Sequence, residues 1–237
     1  MTMNTRPLLR TIVAPVVTAG LALAGTAALA HTGVDAHVHP TDALARFTTG
    51  FVHPFSGLDH LAAMLAVGVW SAVRLPASLA SFSPARAGLH AGSRGGQAWR
   101  LAAAPLSFAL MLMLGAVLAA QGLALPAVEP MIAASLLVLG LLVSTRAPLP
   151  TWLGTALVGG FALFHGAAHG SELAGAGAPA LAGMVLATAA LHGLGLLAGL
   201  RVRDTAQPSH RWATRAAGLG VTALGAVLMT PALASAL

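Results

Sequence analysis

From residue 51 onward the chain is a succession of apolar blocks separated by short polar breaks. The blocks fall at about 51–73, 100–121, 129–145, 152–173, 178–200 and 212–234, each near the ~20 residues that an α-helix needs to cross a hydrocarbon layer. Glycine and proline interrupt several of them, which membrane helices tolerate when neighbours satisfy the freed backbone groups. Only 8% of the residues are charged, against ~25% in an ordinary soluble domain, and mean hydropathy is +0.83. The expected fold is an all-α membrane protein of six transmembrane helices.

The start of the chain reads as a leader. Arg6 and Arg10 precede an apolar run that ends Ala28-Leu29-Ala30, a small-x-small pattern that marks residues 1–30 as a signal peptide cleaved before His31. Residues 31–50 then form a periplasmic tether, and 51–237 the six-helix domain with a cytoplasmic loop at 74–100. The positive-inside rule agrees with this orientation: Arg74, Arg86, Arg94, Arg100, Arg146, Arg201, Arg203, Arg211 and Arg215 border the inner loops, while 122–128 and 174–177 hold no arginine. Trp70, Trp99, Trp152 and Trp212 fall near the inner ends of the blocks, where amphipathic rings anchor at the interface. Three blocks precede Arg146 and three follow it, so the halves run in opposite senses, as in inverted-repeat transporters.

Several function classes drop out. The net charge of +6 comes from twelve arginines and six acids, but the arginines are dispersed and form no basic, aromatic-interleaved face for nucleic acid. No cysteine is present, so disulfides, thiolate metal sites and thiol catalysis are excluded. There is no Walker sequence for a built-in ATPase.

Two stretches carry chemistry. In Phe164-His165-Gly166-Ala167-Ala168-His169-Gly170-Ser171-Glu172, helical spacing sets His165, His169 and Glu172 on one face. The first block opens His53-Pro54-Phe55-Ser56-Gly57-Leu58-Asp59-His60, where Ser56 and Asp59 have the spacing of a capping box that would start a helix at Ser56 and leave His53-Pro54 as a bent lead-in. Counting ~1.5 Å per residue from the outer ends puts Glu172 and His53 at ~1–3 Å, His169 at ~6 Å and His165, Asp59 and His60 at ~12–14 Å. The two stretches therefore share the outer half of the membrane, and His192, at ~21 Å, is a second station further in. Ionisable groups at such depth are costly and usually face one another or a cavity. Imidazole with carboxylate suits nickel, cobalt, zinc or non-haem iron. His31, with a new terminal amine and His37 and His39 nearby, can collect a cation at the mouth.

Other residues have structural readings. Gly166-x3-Gly170 and Gly195-x3-Gly199 let helices approach closely, and the small residues beside the histidines leave room for a cavity. Met111 and Met113 read as packing residues.

His53-x5-Asp59-His60 and Phe164-His165-Gly166-x-Ala168-His169-Gly170-x-Glu172 resemble the two signature motifs of the HupE/UreJ family of nickel permeases. The resemblance covers nearly all of the chain after residue 30, including the start at His31-Thr32-Gly33 and the histidine of the fifth block, His192. It implies a permease and not an enzyme. Ni²⁺ or Co²⁺ would then be a transported substrate, not a cofactor, taken from periplasm to cytoplasm through the bacterial inner membrane. The motif His, Asp and Glu residues would form its path, and cytoplasmic metallochaperones or maturation proteins of a hydrogenase or urease would receive it. The 74–100 linker is longer than the family pattern. From the residues alone, an intramembrane zinc-dependent hydrolase with Glu172 as general base remains open, and a haem module is weaker because His165 and His169 share one face.

Overall fold

The structure, a computed structural model, describes residues 42–75, 91–203 and 208–234. The expected signal peptide, His31 with the tether up to residue 41, and the middle of the 74–100 linker lie outside the described residues. In chain order the elements are α1 (Ala43–Val52), a 3-10 turn (His53–Phe55), α2 (Leu58–Val73), α3 (Ala91–Ala120), α4 (Val128–Thr145), α5 (Thr151–Glu172), α6 (Gly177–Arg203) and α7 (Pro208–Ala234). No strand occurs among the described residues.

The first block is broken more deeply than the bent lead-in at His53-Pro54 that the sequence suggests. Helix starts at Ala43, within the stretch assigned to the tether, because Asp42 caps it by accepting the Ala45 N–H at 2.8 Å. Phe47 and Phe51 stack along this segment at 6.2 Å, and Phe55 follows at a tilt, 6.0 Å from Phe51. Pro54 has no N–H to continue an α-helix, so the chain tightens into the 3-10 turn. Gly57 is extended, and α2 leaves at a bend of 79°. The capping box does not form. Ser56 instead donates to the His53 carbonyl at 2.6 Å, Asp59 turns to His60, and α2 starts at Leu58 with no side-chain cap.

The second block begins early. Residues 91–100, expected as linker, are the first turns of the 30-residue α3. Gly95 and Gly96 each weaken a helix by about 1 kcal/mol relative to alanine, but the helix continues through them.

Among the described residues, four helices are long and apolar enough to cross a membrane (Gly96–Ala120 of α3, α4, α6 and Arg211–Pro231 of α7), or five if the bent α1–α2 pair counts as one span. The sequence suggests six. The difference is α5, which has 22 residues but whose two histidines, Glu172 and glycines dilute its hydropathy. A protein with several such helices fits a multi-pass membrane architecture.

Glycines decide which helices pair. A Cβ on Gly68 of α2 would run into the His192 carbonyl of α6, and one on Gly195 or Gly199 of α6 into the Leu65 or Val69 carbonyl of α2. The contacts climb together along both helices, so α2 and α6 run parallel. By the same reading α3 and α5 are parallel, with Gly115 against Leu163, Gly166 against Leu112 and Gly170 against Ala116. Helices α4 and α7 are antiparallel, with Gly140 against Thr222 and Gly225 against Leu137. Exchanging the first three blocks for the last three turns the α2–α6 pair into α5–α3 and returns α4–α7 to itself. The pairing pattern is therefore symmetric under exchange of the halves.

Two residues at the end of α2 behave differently from expectation. Trp70 is not an interface anchor: it is fully buried, and its indole N–H donates to the Ala147 carbonyl at 3.1 Å. Gly154 leaves room for its ring. Arg74, also buried, lies 4.9 Å over that ring and donates to the carbonyls of Leu149, at 3.3 Å, and Arg100. Burial, and then the neighbouring Arg100 charge, lowers the Arg74 guanidinium from its ordinary value, yet an arginine stays protonated in proteins. Arg74→Ala is expected to cost about 2–3 kcal/mol through lost charged hydrogen bonds, measured as lower thermal stability in detergent. Arg74→Lys should not restore it, because one ammonium cannot reproduce the guanidinium fork.

Candidate metal centre

The bend at 53–57 and the last two turns of α5 bring the two sequence motifs together. His53 Nε2 and Glu172 Oε2 are 2.6 Å apart, and His169 Nδ1 lies 3.9 Å from the same oxygen. One ligand atom from each of His53, His169 and Glu172 fits within 4.8 Å of the others, a spacing that can hold a metal ion. His169 is buried, whereas Glu172 is about a third exposed, so this trio opens outward.

A second group lies deeper. The His60 ring centroid is 4.1 Å from that of His169 and 4.9 Å from that of His165. Asp59 Oδ1 accepts both the His60 backbone N–H at 2.9 Å and Nδ1–H at 3.0 Å. A carboxylate on one ring nitrogen fixes the tautomer and leaves the other as the metal-binding lone pair, here Nε2. That atom is buried and has no hydrogen-bond partner, as do His165 Nδ1, both ring nitrogens of His169 and His192 Nε2. Buried polar atoms left in this way cost about 1–3 kcal/mol each, and neutral imidazoles with carboxylates are a donor set that fits a divalent transition metal.

His192, on α6, does not join the cluster directly. Phe108 of α3 stands between, 5.6 Å from the His165 ring and 4.9 Å from the His192 ring. Thr188, one turn before His192, also buries a hydroxyl without a partner. His31 lies outside the described residues.

Three residues near the site escaped the sequence reading. Ser135 of α4 meets His165 Nε2 at 2.9 Å; a hydroxyl in the middle of an apolar block was the available signal. Phe108 and Thr188 gave none, since either residue is ordinary in a membrane helix. Gly166 and Gly170 serve backbone contact with α3, the close approach expected of them. An open groove of about 760 Å³ between α3 and α5 is lined by Trp99, Met111, Trp152 and Gly159 and by no candidate ligand.

Comparisons with known proteins follow the same residues. The sequence profile of the family described as HupE / UreJ protein matches residues 18–228. Protein HupE of Rhizobium leguminosarum bv. viciae is 37% identical over 217 residues, covering 90% of this chain and 96% of that protein. No solved structure matches. The matched span takes in both motifs and His192, and the chain belongs to the HupE/UreJ family.

Proposed function

We propose that this protein is an inner-membrane permease that carries Ni²⁺ or Co²⁺ from the periplasm to the cytoplasm. The observation that carries the reading is the file of donors: His53, Glu172 and His169 outermost, then Asp59, His60 and His165, then His192 beyond Phe108. Hydrated metal is captured by the outer trio with the help of the His31 tether, exchanges water for the deeper imidazoles, and passes inward at His192. Successive weak sites suit conduction, since an ion must leave as readily as it enters. A divalent cation moving into a negative interior gains ~4.6 kcal/mol per 100 mV, so facilitated uniport suffices.

The topology belongs to the same reading: six spans after a cleaved leader, the first broken at 53–57, with the chain after residue 30 starting in the periplasm. The parallel packing of α2 with α6 and α3 with α5 supports it, because helices an even number of crossings apart run the same way. Cytoplasmic metallochaperones or maturation proteins of a nickel enzyme are the proposed recipients. The zinc-hydrolase alternative is set aside. It would use Glu172 as a free general base, whereas that carboxylate is held by His53 and shared with His169.

Uptake into proteoliposomes tests the proposal, with Ni²⁺ as the tracer and Co²⁺ and Zn²⁺ as competitors. The expected result is uptake that rises as the interior is made more negative, with Co²⁺ competing better than Zn²⁺ and His165→Ala close to the empty-vesicle baseline. Uptake by wild-type protein no faster than in empty vesicles would refute it.

A further inference from the structure

Ser135 of α4 meets the histidine cluster, on a helix that carries none of the candidate ligands. Its hydroxyl oxygen lies 2.7 Å from the Ile132 carbonyl and 2.9 Å from His165 Nε2. Both Ser135 and His165 are fully buried.

A hydroxyl has a single proton. The Ile132 carbonyl can only accept, so two oxygens 2.7 Å apart are compatible only if the serine proton lies between them. With that proton committed, the serine oxygen can only accept from His165, which must carry its own proton on Nε2. The remaining lone pair of His165 is then on Nδ1, the ring nitrogen that is buried without a partner. Across the cluster the opposite choice is made at His60, where Asp59 takes the Nδ1–H and leaves Nε2.

We propose that Ser135 is a positioning residue that fixes His165 as the Nε2–H tautomer and commits Nδ1 to the metal. The inference rests on the reading of His165 as a metal ligand. It gives α4 a role that its sequence does not advertise. The helix packs on α7 through Gly140 and Gly225 and meets His165 through this hydroxyl. It also predicts that the two central imidazoles present different ring nitrogens to the ion, one held by a carboxylate and the other by a hydroxyl.

Nitrogen NMR of the full-length protein with ¹⁵N-labelled histidine, purified without metal, reads the tautomer directly. His165 signals are assigned by their loss in His165→Gln. The expected spectrum has His165 protonated on Nε2, and protonation on Nδ1 overturns the proposal. In Ser135→Ala the expected change is a mixture of both tautomers, with Co²⁺ binding weakened about 10–100-fold, the range for loss of an outer partner of a ligand. The visible spectrum of bound Co²⁺ should shift as well. An unchanged tautomer in Ser135→Ala, or unchanged Co²⁺ affinity, also overturns it. Ser135→Thr keeps the hydroxyl and should keep the wild-type tautomer. Should wild-type protein bind no Co²⁺, the metal reading falls and the ligand half of this proposal falls with it. The ring-nitrogen spectra separate that result from a failure of the serine bond itself.

Discussion

Gly166→Ala is expected to destabilise the folded protein by about 4 kcal/mol or more, the range reserved for gross core disruption. A single added methyl at Gly166 would run into the carbonyl, carbonyl carbon and Cα of Leu112. Backbone cannot rotate away as a side chain can, so α3 and α5 would have to separate along their whole seam. Gly115 and Gly170 make the same kind of contact on either side. The control is Gly160→Ala on the same helix, where an added Cβ meets nothing within 4 Å. That substitution should be neutral or stabilise by up to about 1 kcal/mol, since alanine is the better helix former. Thermal unfolding in one detergent, with yield of monodisperse protein as a second readout, compares the pair. Equal stability of the two variants would mean that α3 and α5 are not in backbone contact.

Asp59→Ala is expected to reduce metal uptake about 10–100-fold, as removal of a ligand-orienting carboxylate does elsewhere, with the amount of membrane-inserted protein little changed. Both described hydrogen bonds of Asp59 go to His60, one to the backbone and one to the ring. Without them the ring can rotate, its proton can sit on either nitrogen, and Nε2 is no longer reserved for the ion. Asp59→Asn keeps an acceptor oxygen but loses the charge, so its uptake should fall between wild type and Asp59→Ala. Uptake measured at matched protein levels decides. Wild-type rates in Asp59→Ala would remove Asp59 from the path.

The parts that were legible in the sequence are those set by local pattern. Hydropathy marks every helix but α1, which lies in the stretch assigned to the tether, and the i, i+4 spacing of His165 and His169 places them on one face whatever surrounds them. Their meeting with His53 and His60 was also accessible, because depth in a membrane follows from counting residues along a helix. What escaped depends on contacts between helices. Nothing local to Trp70 distinguishes a buried ring from an interfacial anchor; the carbonyl of Ala147 and the gap at Gly154 do. Ser135 likewise acquires meaning only once α4 stands beside α5. The break at 53–57 was half visible: Pro54 announced a bend, but Ser56 and Asp59 imitated a cap because their spacing is right and their partners are elsewhere.

Arg74 also sets how charge is distributed along α2. The buried stripe of α2 runs from His60 through Met64, Val67 and Ser71 to Arg74, so the helix carries a carboxylate in its first turn and a fixed guanidinium just past its last. This arrangement complements the helix dipole and also makes α2 a graded electrostatic ramp. On the proposed permease reading, a cation would be attracted at the Asp59 end of α2 and repelled at the Arg74 end.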